Sequence, residues 1–302
     1  MSAVRLAFVG FGDLAGVLAA QARRGGVAEV RAWARLRPDA AGEAALGARI
    51  EAAGAQRCET VEAAVGGADV VMAAVPAAAS ATTVAACAPW LRAGALYADP
   101  APLPPPQKAR LADLVARAGG EYVDVAVLGS VAVAGAAVPM LAAGRGARRF
   151  ADTLAPCGFD VRVIDGPAGR ASLIKLVRSV YLKGREALVL EMVLAARRLG
   201  IEQEVLDSVR GPGEEVAFPA LAERILCSLA AYSGRRADEL AASARLIEEA
   251  GVEPLVAGAA AARLARLDGD GLRRRFHGER AARGADVLAA IEEASRPGQA
   301  GS

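Results

Sequence analysis

Lysine is almost missing from this chain: arginine supplies nearly all the positive charge, and only Lys108, Lys175 and Lys183 carry an ammonium group. Any step that needs an amine able to lose its proton falls to one of these three, because a guanidinium is not deprotonated in proteins. Histidine is scarcer still, with His277 alone. Without a second histidine or a nearby cysteine it makes no case for a metal site, and none is expected. The cysteines, Cys58, Cys87, Cys157 and Cys227, are widely scattered. They lack the Cys-x-x-Cys spacing of a metal or dithiol centre and the density of a secreted disulfide scaffold, so buried reduced thiols are expected. No one sign of charge prevails: 36 basic against 34 acidic residues leave +2. That is no electrostatic footprint for nucleic acid or a membrane surface, and a small-molecule partner is expected instead. Although 54% of the chain is hydrophobic, much of this is alanine, and no apolar run reaches the roughly 18 residues of a spanning helix. The N-terminus enters a strand-like segment with no basic stretch, apolar segment and cleavage site ahead of it, so the expected location is the cytoplasm.

What is present is an alternation. A buried strand is predicted at 5–9, a glycine turn at 10–12 and an alanine- and leucine-rich helix ending near Gly25 and Gly26. Further strands are predicted near 29–33, 69–74, 95–98, 122–125 and 161–164, with helices between most of them. Such alternation implies right-handed crossovers and a mostly parallel, doubly wound sheet covered on both faces, an α/β fold of Rossmann type. The proline cluster Pro100–Pro106 shapes the turn after a strand and starts the next helix. After Gly169 the pattern changes to one long helix over 170–199 and then helical periodicity alone. The domains are therefore read as 1–166, a dinucleotide-binding domain, and 167–302, an all-helical domain for substrate and dimerisation, with a C-terminal extension from about 269. A homodimer is expected, because the long apolar helix is more than one small domain needs to cover itself.

Gly10-Phe11-Gly12-Asp13-Leu14-Ala15 is Gly-x-Gly-x-x-Ala at the junction of the first strand and first helix. The first glycine permits the tight turn and the second lets the backbone approach a pyrophosphate. The small Ala15 allows close helix-to-strand packing, and the helix N-terminus offers free N–H groups to the anion. An ordinary glycine turn is the alternative. The second strand ends Ala34-Arg35-Leu36-Arg37, with no carboxylate for the ribose hydroxyls of NAD. Arg35 or Arg37 can clamp a 2′-phosphate instead, which points to NADP(H) over NAD(H), unless both are solvated surface charges.

Four further stretches, Asp124–Ser130, Val138–Gly144, Ile174–Gly184 and Arg235–Leu240, join the glycine turn and the long helix in a likeness that reaches to about Asp268. The chain resembles the beta-hydroxyacid dehydrogenase superfamily, which includes 6-phosphogluconate and 3-hydroxyisobutyrate dehydrogenases, and most of all its 6-phosphogluconate dehydrogenase-like branch. The resemblance implies a Rossmann domain joined to a helical domain, hydride transfer between NAD(P) and a hydroxy acid, and Lys175 as general acid or base on the substrate oxygen. A partly desolvated amine suits that task; a lysine snorkelling to solvent is the alternative. Val75-Pro76 matches the usual edge of the nicotinamide pocket. Leu128, Gly129, Ser130, Ser179 and Lys183 fall where the resemblance implies substrate contacts, with Lys175 and Ser179 four apart on one helical face.

The departures concern the substrate. Leu128-Gly129-Ser130 stands where many relatives use a serine to hold a carboxylate, Ser179 replaces the usual asparagine, and Asp99-Pro100-Ala101 lacks its hydroxyl or amide. The backbone N–H groups of Gly129 and Ser130 remain available to an anion, while Leu128 suggests a less polar substrate. The run Arg273–Arg280 around His277 is expected to be a solvated basic helix, Glu248-Glu249 a solvated face, and Tyr181 either a pocket residue or a packed aromatic. The leading expectation is thus an NADPH-dependent oxidoreductase that interconverts a small hydroxy compound and its carbonyl form. An NADPH-dependent imine reductase and a non-catalytic cofactor-binding regulator are the alternatives.

Overall fold

The computed structural model describes residues 4–35, 39–129, 131–209, 218–249 and 251–295. The chain divides into two compact units, Met1–Ser179 and Val180–Ser302.

The first unit is built on an eight-stranded sheet of order β3-β2-β1-β4-β5-β6-β7-β8. In chain order the strands are β1 (Arg5–Val9), β2 (Glu29–Trp33), β3 (Gln56–Arg57), β4 (Val70–Ala73), β5 (Leu96–Asp99), β6 (Glu121–Val127), β7 (Met140–Ala143) and β8 (Val161–Val163). Pairing is parallel from β3 through β6; β7 runs antiparallel to β6, and β8 runs parallel to β7. The doubly wound architecture expected from the alternation is present. Two strands escape a reading of the sequence. β3 is too short to show alternation, and Met-Leu-Ala-Ala of β7 has no β-branched residue to separate it from a helical turn.

Helices cover both faces: α1 (Asp13–Arg24), α2 (Ala40–Ala52), α3 (Val61–Val65), α4 (Ser80–Cys87), α5 (Pro105–Arg117), α6 (Val131–Ala134) and α7 (Ala147–Leu154). Leu6 and Phe8 of β1 point into one core layer with Leu18, Ile50 and Phe150. Ala7 and Val9, one residue out of step, enter the other with Val84, Leu111 and Val115. Strands buried on both sides read as continuous apolar runs, which is why they were legible. The helix starts follow local chemistry. The side chains of Asp39 and Thr60 accept N–H bonds from Gly42 and Ala63, and α5 opens on Pro105, whose missing N–H costs nothing there.

The long helix α8 (Arg170–Leu199) has the predicted bounds and carries the chain from the first unit into the second. There follow α9 (Glu202–Ser208), α10 (Phe218–Glu249), α11 (Leu255–Gly269), α12 (Leu272–Arg275) and α13 (Gly284–Ala294). Carboxylates cap two of these from neighbouring helices. Glu191 accepts from the N–H groups of Val256 and Ala257, and Glu223 from Gly284. After Asp268, Leu272, Val287 and Ala290 share a core with Ala230 and Leu267. The expected basic helix is corrected: only one turn of that run, α12, is helical, and His277 follows in a left-handed conformation with φ 55°. Among the described residues no helix is long and apolar enough to cross a membrane.

Candidate active site

The nucleotide end is set by backbone geometry. β1 leads directly into Gly10, whose φ of +83° and close approach to the residue after β4 both demand glycine: a Cβ there would lie 2.5 Å from the carbonyl oxygen of Ala74. Its N–H donates to Trp33 O at 2.8 Å, tying the turn to the end of β2. Gly12 differs. It precedes α1 with ordinary extended dihedrals and no side-chain cap, and a Cβ on it would meet no atom within 4 Å. Protein packing does not require glycine at this position, and the uncapped helix N-terminus leaves its first N–H groups free for an anion. Ala15 is fully buried beneath, and Phe11 packs edge-on to Phe8 at 6.0 Å.

A cavity of about 590 Å³ opens over this turn. Gly10, Phe11 and Gly12 form its floor, Trp33, Ala34 and Arg35 one wall, and Val75, Pro76 and Thr83 the other. It lies at the carboxyl ends of β1, β2 and β4, where the strand order reverses, the place where open α/β sheets bind ligands. Arg35 is the one charged side chain among the described residues of the lining, and none of these is a carboxylate. The residues present therefore fit a dinucleotide and tolerate an additional phosphate. Asp13 does not share in this: its side chain is 87% exposed and faces Arg49 of α2 at 3.5 Å. Leu14 packs against the core rather than the cavity. Arg37 and Ser130, and the side chain of Lys183, lie outside the described residues.

The neighbouring strands hold a polar cluster that sequence reasoning did not assemble. β4 and β5 pair through Met72 and Ala98, so Asp99, which ends β5, adjoins the β4 end that walls the cavity. Asp99 pairs in turn with Asp124 of β6. Both carboxylates and Lys108 of α5 are essentially without exposure. The Lys108 Nζ donates to Asp99 O at 2.7 Å and stands 3.3 Å from both Asp99 Oδ2 and Asp124 Oδ1. Tyr122 OH donates to Asp99 Oδ2 at 2.6 Å, and the N–H of Ala101 to Asp99 Oδ1. Asp124 receives the N–H groups of Gly169 and Ser172, both at 2.9 Å, and the Ser172 hydroxyl at 2.5 Å. A strand carboxylate thus caps the first turn of α8, where the free N–H groups and the helix dipole favour an anion.

Lys175 stands one turn further along α8 and is half-buried. Burial pushes its pKa below the usual lysine value; the positive charges of Lys108 and Arg178 push the same way, and Asp124 opposes them. Ser179 turns its hydroxyl back to the Lys175 carbonyl at 2.9 Å, a local bond that leaves the oxygen lone pairs for another donor. Leu128, at the end of β6, donates its N–H to Pro139 O, and its side chain packs with Ile174 over Ala126, Leu141 and Ala171. Gly129 is exposed beside Val138. Three of the four thiols are buried, whereas Cys58 is half-exposed. Burial holds the thiol of Cys87 at about 12, which leaves no thiolate at neutral pH. Glu248 and Glu249 are exposed, and Tyr181 is partly so.

A signal for the cluster was available. Lys108 occurs at helical spacing with Leu111 and Val115, the buried face of α5, and a lysine on an apolar face calls for a partner.

Known proteins agree with this architecture. Residues 5–157 match the family model described as the NAD binding domain of 6-phosphogluconate dehydrogenase, and residues 196–267 match a domain of unknown function. An uncharacterised 28.5 kDa protein of Methanothermus fervidus is 26% identical over 136 residues, 45% of this chain, and the match spans about half (52%) of that relative. A conserved protein whose structure is described as similar to 3-hydroxyacid dehydrogenases is 28% identical, with 88% of this chain and 99% of that one covered at a TM-score of 0.58. An imine reductase from Myxococcus stipitatus in complex with NADP+ shares the fold at a TM-score of 0.76, with 18% identity over 95% of this chain and 99% of that one. With a family match over half its length and the glycine turn, sheet order and cavity to go with it, the chain belongs to the family of the NAD-binding domain of 6-phosphogluconate dehydrogenase, and its fold is that of NAD(P)-dependent oxidoreductases.

Proposed function

We propose that this protein interconverts a small hydroxy compound, of the hydroxy acid class, and its carbonyl form with NADP(H), and that Lys175 handles the proton on the substrate oxygen. The observation that carries the reading is the half-buried Lys175 amine, biased toward proton release, one turn along the helix whose start Asp124 anchors. Bound NADPH supplies the hydride. Gly12 and the N-terminus of α1 hold the pyrophosphate, Arg35 the 2′-phosphate, and Val75 and Pro76 border the nicotinamide. In the reducing direction the Lys175 ammonium donates a proton to the carbonyl oxygen as charge develops there. In the oxidising direction the neutral amine accepts the hydroxyl proton. Ser179 and the backbone at Gly129 complete the substrate contacts, and Leu128 borders an apolar side of the pocket.

Reduction of a C=N bond is the second reading, supported by the fold shared with the imine reductase over almost the whole chain. One assay separates the two. NADPH consumption is followed with a panel of 2- and 3-oxo acids, then with preformed cyclic imines, using wild-type protein, Lys175→Met and Lys175→Arg. Turnover of an oxo acid that both substitutions abolish supports the proposal. Turnover of imines alone, or full activity of both variants, refutes it. We further propose that the active form is a homodimer, since the helical unit exposes Leu188, Ile201, Leu206 and Val209. Light scattering that returned a stable monomer of about 31 kDa would refute this.

A further inference from the structure

Lys108 is a fully buried cation with a purpose that the hydride reaction does not by itself require. Two carboxylates on adjacent strands, each sharing its remaining oxygen capacity with a hydroxyl or backbone N–H, converge on this one ammonium. Burying such a set gives little net stability over an apolar core of the same shape. It does fix geometry: Asp124 cannot rotate without losing Lys108, the Ser172 hydroxyl and the N–H groups of Gly169 and Ser172 at the start of α8 together. α8 then passes Ala171 and Ile174 over the apolar cluster that includes Ala126 and Leu128, and so approaches the carboxyl edge of β6 with Lys175 beside Ile174.

We propose that Lys108 is a positioning residue for the reaction: by bridging Asp99 and Asp124 it locks the carboxylate that anchors the first turn of α8, and it balances the negative charge that this carboxylate would otherwise present to the Lys175 amine. The inference rests on the role given to Lys175 above. Four charged groups act on that amine or its support from their several elements: Lys108 on α5, Asp124 on β6, Asp99 on β5 through Lys108, and Arg178 on α8 itself. Lys108 and Arg178 oppose protonation of Lys175, and Asp124 favours it. Removal of Lys108 leaves Asp124 without a cation beside it, and removal of the Asp124 charge leaves Lys108 opposed by Asp99 alone. The two changes must therefore move Lys175 in opposite directions, which a merely structural role would not do.

With only three lysines, the chain is suited to reductive ¹³C-methylation and NMR titration of the full-length protein, the Lys175 signal being identified by its loss in Lys175→Met. In Lys108→Met, Lys175 should bind its proton about tenfold more tightly, the size of effect a nearby charge produces, and the pH profile of kcat should move upward with it. In Asp124→Asn the titration should move downward. Should Lys108→Met fail to fold, Lys108→Met combined with Asp99→Asn removes one buried cation and one buried anion together, and the same upward movement is expected. Titrations that coincide with wild type, or that move in one direction for both substitutions, would overturn the proposal while leaving the role of Lys175 intact. Full turnover by Lys175→Met would instead overturn the catalytic role, and the titration reads the electrostatic coupling independently of it.

Discussion

Replacing Gly12 by alanine should separate the demands of folding from those of cofactor binding. At φ −96° and ψ −163° alanine is sterically permitted, and its Cβ meets no atom within 4 Å. Alanine is a poorer residue than glycine ahead of a helix, at a cost of up to about 1 kcal/mol. The lower entropy of the unfolded chain returns about 0.4–1 kcal/mol. The two nearly cancel, so the stability of the nucleotide-free protein should change by less than about 1 kcal/mol. Binding is another matter, because with the pyrophosphate placed as proposed the methyl group would occupy the space through which a phosphate oxygen reaches the first N–H groups of α1. Loss of one charge-assisted hydrogen bond, about 1.5–3 kcal/mol, corresponds to roughly 10–150-fold in Kd. Urea denaturation without nucleotide gives the first quantity, and titration of NADPH fluorescence gives the second. Unchanged stability combined with wild-type NADPH affinity would refute the placement of the pyrophosphate over Gly12.

Gly10→Ala should behave in the opposite way. The left-handed conformation costs about 1–2 kcal/mol and the carbonyl of Ala74 blocks the Cβ, so urea denaturation should show a loss of at least that amount before any nucleotide is added. Arg35→Ala should weaken NADPH about tenfold, the modest end for an exposed charge-assisted contact, and leave NADH unchanged; parallel titrations that show equal losses would refute the 2′-phosphate assignment. The pH dependence of kcat should carry the ionisation of Lys175. Burial and the neighbouring cations favour the neutral amine, so the oxidation rate should rise with pH through a midpoint below the ordinary lysine value, and the reduction rate should fall through the same midpoint. A midpoint at or above that ordinary value would refute the role assigned to its surroundings.

The doubly wound sheet could be read from the chain because its strands are buried on both faces and its glycine turn stands at the first strand-to-helix junction. The long helix from Arg170 was equally plain, with no proline and a single internal glycine, Gly184, before Gly200. β3 and β7 were hidden for a physical reason: a two-residue strand, and an alanine-rich one, are defined by their neighbours' hydrogen bonds rather than by their own side chains. The glycine turn itself was legible because the left-handed backbone at Gly10 and its close approach to Ala74 admit only glycine there. The cluster of Asp99, Lys108, Tyr122, Asp124 and Ser172 was not, since it joins residues as much as 73 positions apart through strand register, which local pattern does not encode. Asp99 and Asp124 were each visible in a motif, but their meeting at one ammonium depends on β5 lying beside β6.

The reversal of β7 has a practical result. Because Val127 pairs with Met140, the chain leaves β6 and enters β7 at one and the same rim, and the described residues between Leu128 and Pro139 stay there instead of crossing to the far side of the sheet. Within that span, α6 rests on α1, the helix that begins at the glycine turn. A rim loop of this kind tolerates exchange at its exposed positions, Ala134 and Ala137 among them, without disturbing the ladder of strands behind it, whereas Val138 is held in the core.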